Sequence, residues 1–584
     1  MYFYIVIIMT TYMVRYLNSF IFIAVLSAIL YSCGHVRDDN EYSYQLGMII
    51  EKLREESPRV SGNIIYNPDL LIELYEKDED LVPAKWKSWN DIDQMLYSIR
   101  NAHHHGLQPE DYHLFVIHDL VDSVILAEDI NYADSARLEL LLTDSFLLLS
   151  AHLSAGKTRS DTLSPRWNAS GIKPAEDWKD FLDNTLAESR IVENLEQLAP
   201  GHRRYIDLKE ALEKYRQIEE EGGWQVIKYD LLNLEKGMRH PEIIGLRERL
   251  SLTQKYIEYD TADITLFDDN LHENVIQFQK RKGLEADGVV DSVTIEAMNV
   301  SVYEKISLIK ASLDRWRRLH EPGDHYIMVN IPDFELTVVK DGISKLTSRV
   351  IVGQPERQTP VFSSIITEVI LNPYWIVPPH MLKEDIIPAI VNDVFYLEDR
   401  NMEILDADWE VVDPLSVDWN EIDSLLREYR DLSEEYPEEG PDDDFEDIFP
   451  YTVRQKPGPD NEMGRVKFIL PNPYYVVIHD TPHTHLFENN VRAFSSGCIR
   501  INRPFTLLEY LLDDLPEWTI TEVNKVMEEE ENQSIYLEKP LPVHILYLTA
   551  WAGEDGLMHF RDDIYNRDQR LMEALKQHPA QSNR

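Results

Sequence analysis

Cysteine and positive charge are both scarce in this 584-residue chain, and each scarcity narrows what the protein can be. Cysteine occurs twice, at Cys33 and Cys498. A scaffold stapled by many disulfides is therefore excluded. A single bridge remains possible by count, but each cysteine sits in a context of its own, which favours two separate thiols. Lys and Arg number 57 against 104 Asp and Glu, a formal net charge of −47. Binding DNA or RNA relies on neutralising phosphates with Lys and Arg, so no nucleic-acid partner is expected. A third lack is local. The run Glu434, Glu435, Glu438, Glu439, Asp442, Asp443, Asp444, Glu446 and Asp447 contains no Lys or Arg. It also lacks the glycine and closing glutamate of a calcium loop in register, leaving a solvated acidic loop as the expectation. No metal and no cofactor is expected anywhere in the chain.

What is present is enough for several cores. Hydrophobic residues make up 43% of the chain, and its length allows roughly three or four domains at ~150 residues each. Residues 1–33 read as an export signal. Arg15 precedes the apolar run Phe20 to Tyr31, and Ser32-Cys33-Gly34 follows. The apolar stretch Tyr2 to Met9 lengthens this signal, so Met13 is an alternative start to Met1, and an uncleaved membrane anchor is the alternative to cleavage. Residues 34–62 are polar and suit a tether.

The segment 63–235 has helical periodicity, with Leu70, Leu71, Leu74 and Tyr75 on one face and Ile92, Leu96 and Ile99 on another. The stretch near Leu138 to Leu153 is apolar on several faces, which marks a central core helix. His103, His104 and His105 are consecutive, so a shared metal is not expected and a helix C-terminal cluster is. Residues 240–300 predict three short helices, with Gly283 as a helix stop. Ser301 and Glu304 form a capping box opening a linker helix within 301–322. From His325 the pattern changes to strands, with Asp341-Gly342 as a hairpin turn. The strand signal lapses between 388 and 450 and returns in the stretch Pro542 to Gly553. The last ~20 residues read as a polar surface helix.

The stretch Tyr474 to Arg500, YYVVIHDTPHTHLFENNVRAFSSGCIR, carries the chemistry. Its β-type run ends on His479, and Cys498 follows Gly497, a residue that permits a tight turn. A cysteine brought beside a histidine makes a nucleophile and its base, with the thiolate as the attacking species. The Gly497 and Cys498 amides are candidate oxyanion donors.

The runs HDTP (His479 to Pro482) and SSGCIR (Ser495 to Arg500) resemble the L,D-transpeptidases of peptidoglycan synthesis. So do RQKPGPDNEMGRVKF (Arg454 to Phe468), PNPYYV (Pro471 to Val476) and NPYWIVPP (Asn372 to Pro379). The match is to their large periplasmic branch. GLQPEDY (Gly106 to Tyr112) and LTDSFLLLSAHLSAGK (Leu142 to Lys157) resemble that branch's scaffold domain. Phe278-Gln279, Gly283-Leu284, Asp287-Gly288 and Thr294 resemble a peptidoglycan-binding three-helix module; a plain helical spacer is the alternative. Leu30-Tyr31-Ser32-Cys33 resembles a bacterial lipobox, with Cys33 as the lipidated residue.

The resemblance implies a multidomain α+β protein. Its parts are a helical N-terminal scaffold, a three-helix peptidoglycan-binding-like module, and a mostly β catalytic domain at 323–550 whose insertion 388–450 is a capping lid, followed by a helical tail at 551–584. It implies 3→3 cross-linking of peptidoglycan stem peptides, a donor tetrapeptide and an acceptor amine, with a Cys498 thioester and His479 as general base. Ser496 would orient His479, and Arg500, Tyr374 and Trp375 would contact substrate. Carbapenem β-lactams would inhibit, and the protein would be an exported, membrane-anchored periplasmic lipoprotein. A thiol hydrolase on the same fold and a non-catalytic wall-binding protein are the alternatives.

Overall fold

A computed structural model describes residues 39–577, apart from 78–79, 82–83, 127–130, 159–174, 229–232, 255–262, 320–321, 394 and 436–444. The export signal, Cys33 and most of the acidic run lie outside the described residues. Helix α1 (Tyr132–Ala155) is the axis of the N-terminal half. By length and composition it could cross a membrane, yet 83% of its most apolar stretch is buried inside the protein. An all-round apolar helix needs neighbours on every side, and the helices around it supply them. Helix α2 (Arg203–Glu220) leads from this half towards the rest.

The module is built from α3 (Glu242–Ser251), α4 (Asp269–Lys282) and α5 (Ser292–Asn299) around Leu246, Leu271, Val275 and Phe278. Gly283 ends α4 with φ +70°, as its sequence position suggested. Helix α6 (Val302–Arg317) follows, capped by Ser301 Oγ accepting from the Glu304 amide at 3.2 Å. It was expected to be a linker, but it is the most enclosed helix of the second half. Every residue from Ala311 to Arg317 is buried. Asp314 bonds the Lys157 amide at 2.7 Å and Thr158 Oγ1 at 2.8 Å from the scaffold side. Arg315 pairs with Asp568 of the C-terminal helix at 2.6 Å. That last helix (Asp568–Lys576) buries Leu571 and Leu575 against Ala311, so it is docked rather than simply surface. Polar residues at its exposed positions conceal the docking stripe.

The C-terminal half opens with β1 (His325–Asn330), β2 (Glu335–Lys340), β3 (Ile343–Gly353) and β4 (Phe362–Leu371). Asp341 and Gly342 both take positive φ between β2 and β3, the hairpin turn their pairing calls for. After β5 (Trp375–Ile376), β6 (Met402–Leu405), β7 (Val411–Val412) and β8 (Thr452–Gln455) come β9 (Val466–Ile469), β10 (Ile478–His479), β11 (Ala493–Ser495), β12 (Ile499–Ile501) and β13 (Gln533–Leu546). A hairpin of β14 (Ala550–Ala552) and β15 (Met558–Phe560) completes the strands. The large mixed sheet has the order β11-β3-β12-β10-β9-β4-β13-β1-β2, and β2 also pairs with β3, so eight of the strands close on themselves. The short β10 thus lies in the middle of the sheet.

Strands β5 to β8 form a second sheet, ordered β7-β6-β8-β5, with its own core of Trp375, Leu382, Ile387, Ile404 and Phe449. The sequence suggested an insertion without strands. Strands of two to four residues are too short to show alternation, so this second sheet, termed the cap after the lid that the resemblance implies, left no periodic signal.

Candidate active site

The register of the central strands gathers the site. Lys467 on β9 lies opposite His479 on β10, and His479 lies opposite Arg500 on β12. Residues in one cross-strand row share a face of the sheet. Cys498 sits immediately before β12, where the Ile499 amide donates to the Val477 carbonyl at 3.0 Å and holds that strand's start beside β10. Lys467 and Arg500 lie near enough to both Cys498 and His479 for their charge to act on each. Cys498, His479 and Arg500 therefore come together, and Lys467 joins them.

The turn carrying Cys498 is braced from within and from behind. Ser495 Oγ donates to the Cys498 carbonyl at 2.6 Å and accepts from the Gly497 amide at 3.2 Å. Gly497 takes φ +113°, a conformation that side chains disfavour. Behind the turn, Thr359 Oγ1 donates to the Gly497 carbonyl at 2.9 Å and accepts from the Gly353 amide at 2.8 Å. Tyr565 OH donates to the Gly353 carbonyl at 2.5 Å and accepts from the Thr359 amide at 3.2 Å. Gly353 admits no side chain, since a Cβ there would lie 2.2 Å from the Arg357 carbonyl.

His479 is buried, and its Nδ1 donates to the Asp480 carbonyl at 2.5 Å. In the neutral ring this leaves the Nε2 lone pair as the basic site. Burial, and then the Arg500 charge, push its pKa down to about 3, against the pull of the Asp480 and Met463 carbonyls. Burial raises the Cys498 thiol above its ordinary value. Its Sγ–H donates to the Tyr475 carbonyl at 3.9 Å. Both shifts favour the neutral thiol and the neutral imidazole, where the sequence suggested a thiolate as the attacking species.

Three roles read from sequence change. Ser496 Oγ accepts from Arg357 Nη1 at 3.1 Å, so the orienting of His479 falls to the Asp480 carbonyl. The Gly497 amide is engaged by Ser495, which leaves only the Cys498 amide of the two candidate oxyanion donors without that contact. Trp375 is buried in the cap's core and is not placed to touch a substrate, while Tyr374 lies under the Arg454 guanidinium at 4.2 Å. Arg500 is enclosed. Its Nη2 lies 3.6 Å from Glu462, and its Nε is buried with no hydrogen-bond partner. A half-buried guanidinium whose Nε lacks a partner among the described residues suits a carboxylate.

The cap reaches the site through two contacts. Val477 and Met463, near His479, pack on its core. Arg357 forms ion pairs with Glu384 and with Asp385, the latter at 2.7 Å, while also holding Ser496. Sequence reasoning missed Arg357, Thr359, Tyr565 and Lys467, because each reaches the site from a distant segment. Far from the site, His103 and His104 do come together, with ring centroids 4.1 Å apart and Glu213 close by, because residues 102–105 wind as a tight 3-10 turn.

Comparison with known families agrees with this layout. Residues 71–212 match a scaffold domain, and residues 239–298 match the domain described as "Putative peptidoglycan binding domain". Residues 324–523 match the L,D-transpeptidase catalytic domain. A Haemophilus influenzae protein named "Putative L,D-transpeptidase" is 36% identical over 245 residues, which is 42% of this chain and 45% of that one. The chain thus aligns with a little under half of that relative's length. A solved L,D-transpeptidase structure from Xylanimonas cellulosilytica covers 55% of this chain and all of its own at 12% identity and a TM-score of 0.16, too low to carry any argument.

Proposed function

We propose that this chain, through the L,D-transpeptidase catalytic domain it carries at residues 324–523, joins peptidoglycan stem peptides by 3→3 cross-links through a thioester on Cys498. The observation that carries the reading is a neutral His479 with an available Nε2, sharing its neighbours Lys467 and Arg500 with Cys498.

As Cys498 Sγ attacks the carbonyl of the third residue in a tetrapeptide stem, His479 Nε2 takes the thiol proton. The developing oxyanion faces the Cys498 amide. The bond to the terminal D-alanine breaks, and His479 returns the proton to its departing amine. The side-chain amine of a second stem then attacks the thioester, giving the new amide and the free thiol. Arg500, with its spare Nε donor, holds a stem carboxylate. The cap over the site excludes water, which favours transfer to the amine over hydrolysis. Carbapenem β-lactams would acylate the same sulfur. Cys33 as a lipidated residue would tether the protein to a membrane outside the cytoplasm.

The second reading is an L,D-carboxypeptidase, which would release shortened monomers from the same thioester. A wall-binding role without catalysis would leave Cys498 unmodified. Incubating the protein with purified tetrapeptide stems and measuring intact mass tests the proposal. A thioester adduct absent from Cys498→Ala, followed by 3→3 dimers, is expected. Dimers formed by Cys498→Ala would overturn it.

A further inference from the structure

A second cluster of charge lies away from the sulfur, where the three-helix module meets the rest of the chain. Arg249 at the end of α3, Arg281 and Lys282 at the end of α4, and Lys305 on α6 line one narrow cleft with a free volume of about 10 Å³. Arg249, Arg281 and Lys305 are all buried. Tyr215, Phe278, Met558 and Phe560 supply the remaining wall.

None of these cations is held by a carboxylate hydrogen bond among the described residues. Arg249 Nε donates to the Met298 carbonyl at 2.8 Å, and its guanidinium lies 3.8 Å from the centre of the Trp224 ring. Arg281 Nη1 donates to the Thr253 carbonyl at 3.2 Å. The Lys282 and Lys305 ammonium nitrogens lie 3.9 Å and 4.5 Å from the centre of the same ring, Phe560. The two lysines also contact each other. Glu304, Asp555 and Asp562 are near enough for their charge to be felt. Among the described residues, however, none forms an ion pair with any of the four.

Such a cluster in a chain of net charge −47 calls for an explanation. Arginine does not give up its proton in proteins, so both guanidiniums stay charged. Burial and the neighbouring Lys305 push the Lys282 ammonium well down from the ordinary lysine value. An aromatic face offsets only part of a buried charge. Two guanidinium forks and two ammonium groups around one narrow space form a donor set for carboxylate or phosphate oxygens.

We propose that this cleft binds a small oxyanion of the carboxylate or phosphate class, which fastens the module to α6 and the β14–β15 hairpin. The donors come from both sides of the junction, with Arg249, Arg281 and Lys282 from the module and Lys305 from α6. The free space of about 10 Å³ is that of one water, so an entering oxyanion displaces the flexible Lys282 and Lys305 ends, and the ligand is either a free inorganic ion or the exposed carboxylate end of a larger molecule.

The test is thermal melting of the full chain at constant ionic strength, with chloride replaced stepwise by inorganic phosphate or, separately, by N-acetyl-D-alanine. A saturable rise in melting temperature is expected in the wild type, and its loss in Lys282→Met/Lys305→Met. In chloride alone the double variant should melt at or above the wild type, since it removes two amines whose charge burial opposes. Phosphate alone being effective identifies a free ion, and N-acetyl-D-alanine alone a peptide carboxylate end. Isothermal titration of the wild type with each probe gives the same answer should the double variant not fold. No saturable response to either probe in the wild type would overturn the proposal. So would a response that appears only in Glu258→Gln/Asp260→Asn. Those two residues lie outside the described ones, and that result would mean the chain's own carboxylates fill the cleft.

Discussion

Replacing Arg357 by methionine should loosen the cap without disabling the sulfur. The guanidinium pairs with Glu384 and Asp385 on the cap and donates to Ser496 Oγ in the nucleophile turn. Methionine keeps an aliphatic stem and removes all three contacts. The Glu384 and Asp385 side chains are 54% and 43% exposed, so each ion pair contributes no more than about 1 kcal/mol. The Ser496 bond contributes about 1 kcal/mol more. A total of about 1–3 kcal/mol corresponds to a shift of roughly 5- to 150-fold between seated and unseated cap. The cap keeps its own apolar core, so the melting temperature should change little. The thioester, however, would meet water more often. The assay supplies tetrapeptide donor and acceptor and measures cross-linked dimer against shortened monomer by mass spectrometry. A fall in that ratio of about tenfold, with acylation of Cys498 near wild-type yield, is expected. Glu384→Gln/Asp385→Asn should reproduce most of the effect, and Ser496→Ala less than half. An unchanged ratio in Arg357→Met, with the thioester still forming, would refute the coupling.

Because His479 titrates at about 3 and the Cys498 thiol is raised, alkylation of Cys498 by iodoacetamide in a Cys33→Ser background should climb with pH through 9 without a step between 5 and 7. A plateau reached near pH 6 would instead mark a thiolate–imidazolium pair. Tyr565→Phe removes the hydroxyl that bonds the Gly353 carbonyl and the Thr359 amide. Acylation should slow by roughly 5- to 30-fold, the equivalent of about 1–2 kcal/mol, as read by stopped-time intact mass. Asp314 is buried. Although burial opposes its ionisation, Arg318 and Arg317 hold it well below the usual carboxylate range. Asp314→Asn should cost about 3–5 kcal/mol in urea unfolding at pH 7. A group with a depressed folded-state pKa stabilises above its unfolded value, so the difference between wild type and variant should shrink as pH falls below about 4.

What the sequence disclosed follows from the range of each signal. The Cys498 turn, the Asp341-Gly342 hairpin, the Gly283 stop and the Ser301 cap are local arrangements, written in neighbouring residues. The apolar faces of α1 announced a core helix because burial on all sides leaves no polar stripe. The capping sheet stayed hidden because β5 and β8 are separated by the whole insertion and their pairing has no local signature. Arg357, Thr359 and Tyr565 carry no local signal of a role until the closed sheet brings them behind Cys498. The reassignment of the Gly497 amide depends on a hydroxyl two residues away, which spacing alone could not orient. The protonation of the pair was equally illegible, since it depends on burial and on the row shared by Lys467 and Arg500.

Helix α6 is grasped by the N-terminal half through Lys157 and Thr158 and by the C-terminal helix through Asp568. Segments far apart along the chain thus converge on one shaft, and Tyr565, just before the last of them, supports through Thr359 the turn that bears the sulfur. Cutting at the boundaries of the matched domains would strip this shaft bare and take away that tyrosine. Exchanging an outer module of such a protein therefore means redesigning the helix it shares with the others, even where the parts look like separate beads.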